Sequence, residues 1–266
     1  MKIMPNLFPG GVKRALTMSY DDGQEYDVRL TKIFDRYGIK GTFCLNSATV
    51  GREGFVSAEK IPEIYKNHEV AAHGVNHSYM NLISSIVLAQ EIMEDKRKLE
   101  RLSGQLIRGM SYPYGRYTKE VWQNAKMCGM EYSRTVNSTR DFYVPENFME
   151  WHPTCHHDDD NLWKLWEKFL EPDFDRPMLF YVWGHSFEFE RNHNWDRIEK
   201  FCGLAGGNTQ IWYATNIQIK EYILAQHNLV YSADMNLIYN PSAVDVWVSR
   251  GEEAIEIPAG GYWEEK

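Results

Sequence analysis

From Arg14 to His227 the chain alternates strand-like and helix-like segments, and this rhythm constrains its fold more than any other feature. "RALTMSY" reads as a strand. "YDVRLTKIFDRYG" follows with Leu30, Ile33, Phe34 and Tyr37 on one helical face and a stop at Gly38. The same alternation continues through "GTFCLN", "EKIPEIYKNH" and "EVAAHG". "SSIVLAQEIMEDKRKLERLSG" is the clearest helix, apolar at Leu88, Ile92, Leu99 and Leu102 and charged opposite. "LIRGMSY", "KEVWQNAKMCG", "MEYSRTV", "NLWKLWEKFLE", "MLFYVWGHS", "WDRIEKFCGLAGG", "IWYAT" and "NIQIKEYILAQH" complete the series. Strands spaced by one helix each are the signature of parallel βα units. The fold class is therefore α/β, either a (β/α) barrel, distorted or incomplete, or an open doubly wound sheet. After His227 the rhythm breaks into short β-like runs, so residues 1–227 are expected to form the βα domain and residues 228–266 a small β appendage.

Composition narrows the function. The net charge is −8 and the basic residues do not cluster, which argues against nucleic acid and anionic membrane as partners. Cys44, Cys128, Cys155 and Cys202 are far apart and form no CxxC pair, as expected for reduced, buried thiols. "MKIMPNLFPGG" lacks the apolar core of a signal peptide, and no run approaches the ~20 apolar residues of a membrane span. A soluble, cytoplasmic protein is predicted. Nine tryptophans and sixteen tyrosines suit stacking on sugar rings or planar ligands, although large cores use aromatics too.

Both candidate folds gather function at the carboxyl ends of the strands. Those ends carry "SYDDG" with Asp21 and Asp22, "HGVNH" with His73 and His77, "SYPYG" from Ser111 to Gly115, and His185 after "MLFYVW". Asp-Asp-Gly alone is ordinary turn chemistry, and an HxxxH pair is common by chance. On one face of one sheet they become a set. One carboxylate and two imidazoles suit zinc or another divalent ion with positions left open, and the second carboxylate can accept a proton from water beside it. An ion also relieves the repulsion between the adjacent aspartates.

These motifs resemble those of the polysaccharide deacetylases, the carbohydrate esterase family that includes chitin and peptidoglycan deacetylases. The family's T-F-D-D-G is matched by "SYDDG", its H-S/T-x-x-H in spacing by "HGVNH", its R-x-P-F/Y-G in part by "SYPYG", and its terminal L-x-H in position by "VWGH". Order and spacing agree from residue 14 to residue 186. The resemblance implies a deacetylase-type (β/α) barrel, with Asp21 as general base and Asp22, His73 and His77 as ligands of one divalent ion. Zinc is the foremost candidate, ahead of cobalt, manganese or nickel. It further implies His185 as general acid and the Tyr114 backbone N–H as oxyanion donor. Tyr112, Trp151 and Trp183 are expected at the substrate, Trp151 only loosely matching the family's fourth-motif tryptophan.

The chain also departs from the pattern. Ser111 stands where relatives carry the arginine that pairs with the catalytic aspartate. Arg108, Arg116, Arg134 or a histidine of "WHPTCHH" could supply its place. Without such a partner, the Asp21 pKa and the acid limb of the pH–rate profile are expected to lie higher than in relatives. Gly74 replaces a serine or threonine, and Trp183 a leucine that shapes the acyl pocket. "HPTCHHDDDN", with His152, His156, His157 and three aspartates, could hold a second metal ion but reads better as a polar loop with Asp160 or Asn161 capping the next helix. "HSFEFERNHNW" offers substrate contact through Glu188, His193 and Asn194 but reads better as a long solvated loop over the same face. The expected activity is metal-dependent hydrolysis of a carbon–nitrogen bond other than a peptide bond, removing an N-acetyl (or O-acetyl) group from an amino sugar or oligosaccharide. The alternatives are a hydrolase of a small amide and a degenerate, non-catalytic carbohydrate-binding protein. Oligomeric state is not encoded in any of these signals.

Overall fold

The computed structural model describes residues 3–171 and 176–265. Met1, Lys2 and Lys266, which belong to the terminal stretches read above, lie outside the described residues. Eight strands form one parallel sheet that curls into a half-barrel. In chain order these and their helices are β2 (Arg14–Asp22), α1 (Asp27–Tyr37), β3 (Gly41–Leu45), α2 (Ile61–Ile64), β4 (Glu69–Ala72), α3 (Ser85–Ser103), β5 (Gly109–Ser111), α4 (Lys119–Met127) and β6 (Tyr132–Arg134), after a short β1 (Ile3–Met4). There follow β7 (Cys155–His156), α5 (Leu162–Leu170), β8 (Met178–His185), α6 (Ser186–Arg191), α7 (Trp195–Ala205), β9 (Ile211–Tyr213) and α8 (Asn216–His227). The spatial order is β6-β5-β4-β3-β2-β8-β7, with β9 also paired to the first residues of β2.

Strand β2 is the centre of the sheet. Seven of its nine residues are buried in succession, because a parallel strand covered on both faces has no solvent side. Its register with β3 and β8 sets Asp21 beside Cys44 and His185. Strands β5 and β6 set Ser111 beside Arg134. Helix α1 buries Leu30, Ile33 and Phe34 and ends at Gly38, whose φ of 68° is the left-handed conformation that glycine adopts without strain. Helix α3 is capped by Ser84, which accepts from the Val87 N–H, and buries Leu88, Ile92 and Leu99.

Two expected loops contain regular structure. Cys155 and His156 form β7, which pairs with β8, and residues 186–191 form α6. The latter is closed by a capping box between His185 and Glu188, a signal hidden because histidine is not an ordinary cap residue. Helix α5 starts at Leu162 with Asn161 in the cap position, although the Asn161 side chain makes no capping bond.

Beyond α8, β10 (Val230–Tyr231), β11 (Leu237–Tyr239) and β14 (Tyr262–Glu264) form one antiparallel sheet. β12 (Val246–Arg250) and β13 (Glu253–Ile257) form another, joined by β1 from the opposite end of the chain. Val246, Val248, Ile255 and Ile257 pack with Tyr222, Ile223 and Trp151 in a second apolar cluster. Among the described residues no helix is long and apolar enough to cross a membrane.

Candidate active site

The carboxyl ends of β2, β4, β5 and β8 surround a cavity of about 480 Å³, lined by Asp21, Asp22, His73, His77, Trp183 and His185 with Tyr112, Tyr114, Gly115 and Val136. Asp22 Oδ1 lies 3.7 Å from His73 Nε2 and 3.8 Å from His77 Nε2. Donor atoms of these three residues fall within 4.8 Å of one another.

Hydrogen bonding settles which nitrogen of His73 is available. Ser111 Oγ donates to Asp21 Oδ1 at 3.0 Å, so its single proton is spent there. His73 Nδ1 lies 2.7 Å from that same Oγ and 2.9 Å from the Ser111 carbonyl oxygen, both of which can only accept from it. Nδ1 therefore carries the proton and Nε2 presents its lone pair toward Asp22 and His77. That is the tautomer a metal ligand needs, oriented by its other nitrogen. The donor set fits a divalent ion of the zinc type, with Asp22, His73 and His77 as the residues to hold it.

The loop carrying the two histidines is fastened from below. Asn46 Nδ2 donates to the carbonyls of His73 and Gly74, and Asp95 accepts from the N–H groups of His73 and Ser47. Burial pushes Asp95 up to about 6. Gly74, at φ 77°, occupies a backbone conformation costly for the serine or threonine of relatives. Asp22 (φ 80°), His77 (φ 54°) and Tyr114 (φ 58°) are left-handed without being glycine. Such residues each cost on the order of 1–3 kcal/mol and gather at functional sites.

Arg134 supplies the missing cation. Its fully buried guanidinium pairs with Asp21 Oδ2 and stacks 4.5 Å over the Trp183 ring. The charge has moved one strand over, from the β5 position held by Ser111 to its register neighbour on β6. Burial alone would raise the Asp21 pKa, yet Arg134, with His73 and His185, holds it well below the usual carboxylate range. The expected elevation of Asp21 is thus overturned. Arg116 is exposed, and Arg108 pairs instead with Glu131 and Glu221.

Across the cavity, His185 Nδ1 lies 3.2 Å from Glu188 Oε2, and the same oxygen is 3.1 Å from His156 Nε2 and 3.4 Å from His157 Nε2. Burial would lower the His185 pKa, but Glu188 and the two cavity aspartates outweigh it and raise it. The structure brings Trp183 to the cavity wall, between Arg134 and His156. Tyr112 reaches the cavity only by an edge. It is buried, and its hydroxyl donates to the Met149 carbonyl. Trp151 is not brought there, being buried among Tyr132, Phe148 and Tyr181. Tyr79, which carried no sequence signal, stacks on Tyr114 at 4.0 Å, and both rings are about half exposed. His193 is exposed at the end of α6, and Asn194 bonds to Asp158.

The curled parallel βα sheet matches the (β/α) barrel fold of the CE4 deacetylases. The polysaccharide deacetylase family model matches residues 10–133 of the chain. A Bacillus subtilis (strain 168) protein, YxkH, named for the same family, is 21% identical over 126 residues, which are 47% of this chain and 45% of that one. The chain thus spans about half the length of this curated relative. Among solved structures, a Mycobacterium smegmatis protein described as a polysaccharide deacetylase superposes with a TM-score of 0.64 at 19% identity, covering 85% of this chain and 96% of that one. The Xyl-CE4 domain of a xylanase from the hindgut metagenome of Trinervitermes trinervoides gives 0.52 at 14% identity, covering 79% and 90%. A CE4 family pseudoenzyme of Bacillus anthracis also gives 0.52, at 18% identity, covering 80% and 66%. These likenesses establish the fold, and the last shows that the fold occurs without activity.

Proposed function

We propose that the protein is a metal-dependent hydrolase that removes an acetyl group from the nitrogen, or the oxygen, of an amino sugar or oligosaccharide. The observation that carries this reading is the convergence of three free-facing donors (Asp22, His73, His77) on a cavity that also holds a separately anchored carboxylate and an imidazole. An ion held by those three supplies Lewis-acid polarisation of the acyl carbonyl and acidifies water, the help that a base as weak as Asp21 requires.

Asp21 is the base. Ser111 and Arg134 each occupy one of its oxygens, fixing the carboxylate plane and keeping it ionised at any working pH. His185 is the acid, kept protonated toward neutral pH by its carboxylate neighbours, and it delivers a proton to the departing amine. The Tyr114 N–H, on its left-handed turn, is the oxyanion donor. The exposed Tyr79–Tyr114 stack at the rim supports a saccharide substrate, since a sugar ring lies flat on such a surface.

Acetate release from N-acetylated oligosaccharides and from small amides, measured after chelation and after restoring zinc or cobalt, tests the proposal. Metal-dependent release from the sugars is the expected result. Release from small amides alone would move the substrate class. Sugar binding without release under any metal would leave a binding protein.

A further inference from the structure

A second donor set lies on the inner flank of the cavity, built from residues that the proposed reaction uses only in part. Three imidazole nitrogens surround the single oxygen Glu188 Oε2, at 3.1 Å (His156 Nε2), 3.2 Å (His185 Nδ1) and 3.4 Å (His157 Nε2). The His185 backbone N–H also donates to that oxygen at 3.1 Å, and a carboxylate oxygen offers about two lone-pair directions, so at least two of the three rings are surplus to its hydrogen bonding. His157 is one of them: it is 1% exposed, and neither ring nitrogen has a hydrogen-bond partner. Buried polar atoms left unpaired require a reason.

The spacing supplies one. Four donors placed tetrahedrally at ~2.0–2.1 Å from zinc stand about 3.3 Å apart, which is the separation found around Glu188 Oε2. His156, His185 and Glu188 also have donor atoms within 4.8 Å of one another. We propose that His156, His185 and Glu188 bind a second divalent transition ion, with His157 as the adjoining fourth donor. An imidazole-rich set with one carboxylate selects zinc, copper or nickel over magnesium or calcium.

The surroundings hold these side chains in place. A Cβ at Gly184 would fall 2.0 Å from His157 Nδ1, so the ring lies directly on backbone that only glycine leaves open. It is sandwiched between Tyr20 and Phe189, at ring distances of 5.7 and 4.1 Å. Arg197 donates to the His157 and Asp159 carbonyls, and Asn192 and Asn194 to Asp158, which ties the His156–Asp158 turn to α6 and α7.

Occupancy has a consequence for turnover, and this part rests on the proposed acid role of His185. A ring coordinated at Nδ1 keeps only its Nε2 proton, and losing that proton leaves an imidazolate instead of a neutral ring. His185 would then no longer donate near neutral pH. The second ion is therefore inhibitory.

Metal-free protein titrated with Zn²⁺ alone, with bound metal counted after desalting, tests the site. Two equivalents are expected for the unaltered chain, and one each for His156→Ala and Glu188→Gln. His77→Ala should keep the ion that those two lose. Acetate release by the unaltered chain should fall several-fold between one equivalent and excess Zn²⁺, and His156→Ala should abolish that fall. One equivalent in the unaltered chain, unchanged in His156→Ala, would overturn the site. So would loss of both ions in His77→Ala. A second ion that His156→Ala removes without relieving any inhibition would overturn the part given to His185. If the unaltered chain binds one ion that His77→Ala keeps and His156→Ala loses, the inference stands and the proposed active-site metal falls.

Discussion

Asp21 and Glu188 are carboxylates on opposite flanks of His185, and their surroundings differ in kind. Asp21 has a guanidinium on one oxygen and a serine hydroxyl on the other, which leaves each oxygen a lone-pair direction free. Glu188 has three imidazoles crowding one oxygen and an exposed arginine at 3.5 Å from the other. Each carboxylate is held below its ordinary pKa against the effect of burial. Asp27 shows what burial does without a cation. It is as enclosed as Asp21, accepts from Tyr65 and Ser186 hydroxyls at 2.6 and 2.5 Å, and is pushed up to about 7. A partner's charge, more than its hydrogen bonds, decides whether a buried carboxylate here is ionised.

The largest effect that can break this comparison is at the residue between the two carboxylates. His185→Ala should cut turnover of unactivated amides by ~10²–10⁴-fold while sparing activated esters, whose leaving groups need little protonation. Equal losses on both substrates would remove the acid role.

Arg134→Met strips Asp21 of its cation. Removing one partner of a buried pair costs about 3–5 kcal/mol, read from the urea midpoint at neutral pH. A depressed carboxylate stabilises the fold above its unfolded pKa and loses that contribution only as pH falls through the folded value. In the variant the Asp21 pKa rises instead, so its deficit should shrink on acidification, and the acid limb of kcat/KM should move upward. An unmoved acid limb would show that Arg134 does not govern Asp21.

Asp27 runs with the opposite sign. Its folded pKa of about 7 exceeds the unfolded ~3.9, so the folded chain binds more protons between those values and stability falls as pH rises through the window. Metal-free Asp27→Asn should lose that slope, on the order of 1.4 kcal/mol per pH unit. An unchanged slope would mean that Asp27 ionises normally. The smallest effect is Glu188→Gln, measured with one equivalent of metal. It should shift the alkaline limb of the rate profile downward by about one pH unit or less, because the His185 imidazolium loses its nearest anion. An alkaline limb that stays in place would separate Glu188 from the acid.

How much of this was legible in the sequence followed from periodicity. The strands and helices around Asp21, His73 and Ser111 carry repeats long enough to read, and parallel register then brings their ends together. Arg134 was one of three candidate arginines, and only the Ser111–Arg134 pairing distinguishes it from Arg108 and Arg116. Its position at the end of "MEYSRTV" was the available clue. The Glu188 cluster was only half legible: "HPTCHHDDDN" offered a second metal site, but nothing in the sequence tied its histidines to Glu188 and His185. His156 comes from a two-residue strand and Glu188 from a six-residue helix, both too short to carry a period, and the cap that starts the helix uses histidine. Trp151 was drawn toward the substrate by a loose motif match, whereas its ring fills the space between β6 and β8.

The division of labour between the adjacent aspartates is the central claim, and bound metal measures it most directly. Asp21→Asn and Asp22→Asn would be loaded with one equivalent of Zn²⁺, desalted and assayed side by side for metal at the His77-dependent site. Asp21→Asn should retain the ion there with almost no turnover, and Asp22→Asn should lose it, with partial recovery of turnover in added metal. Equal loss of the ion from both variants, or full turnover in Asp21→Asn, would contradict the assignment.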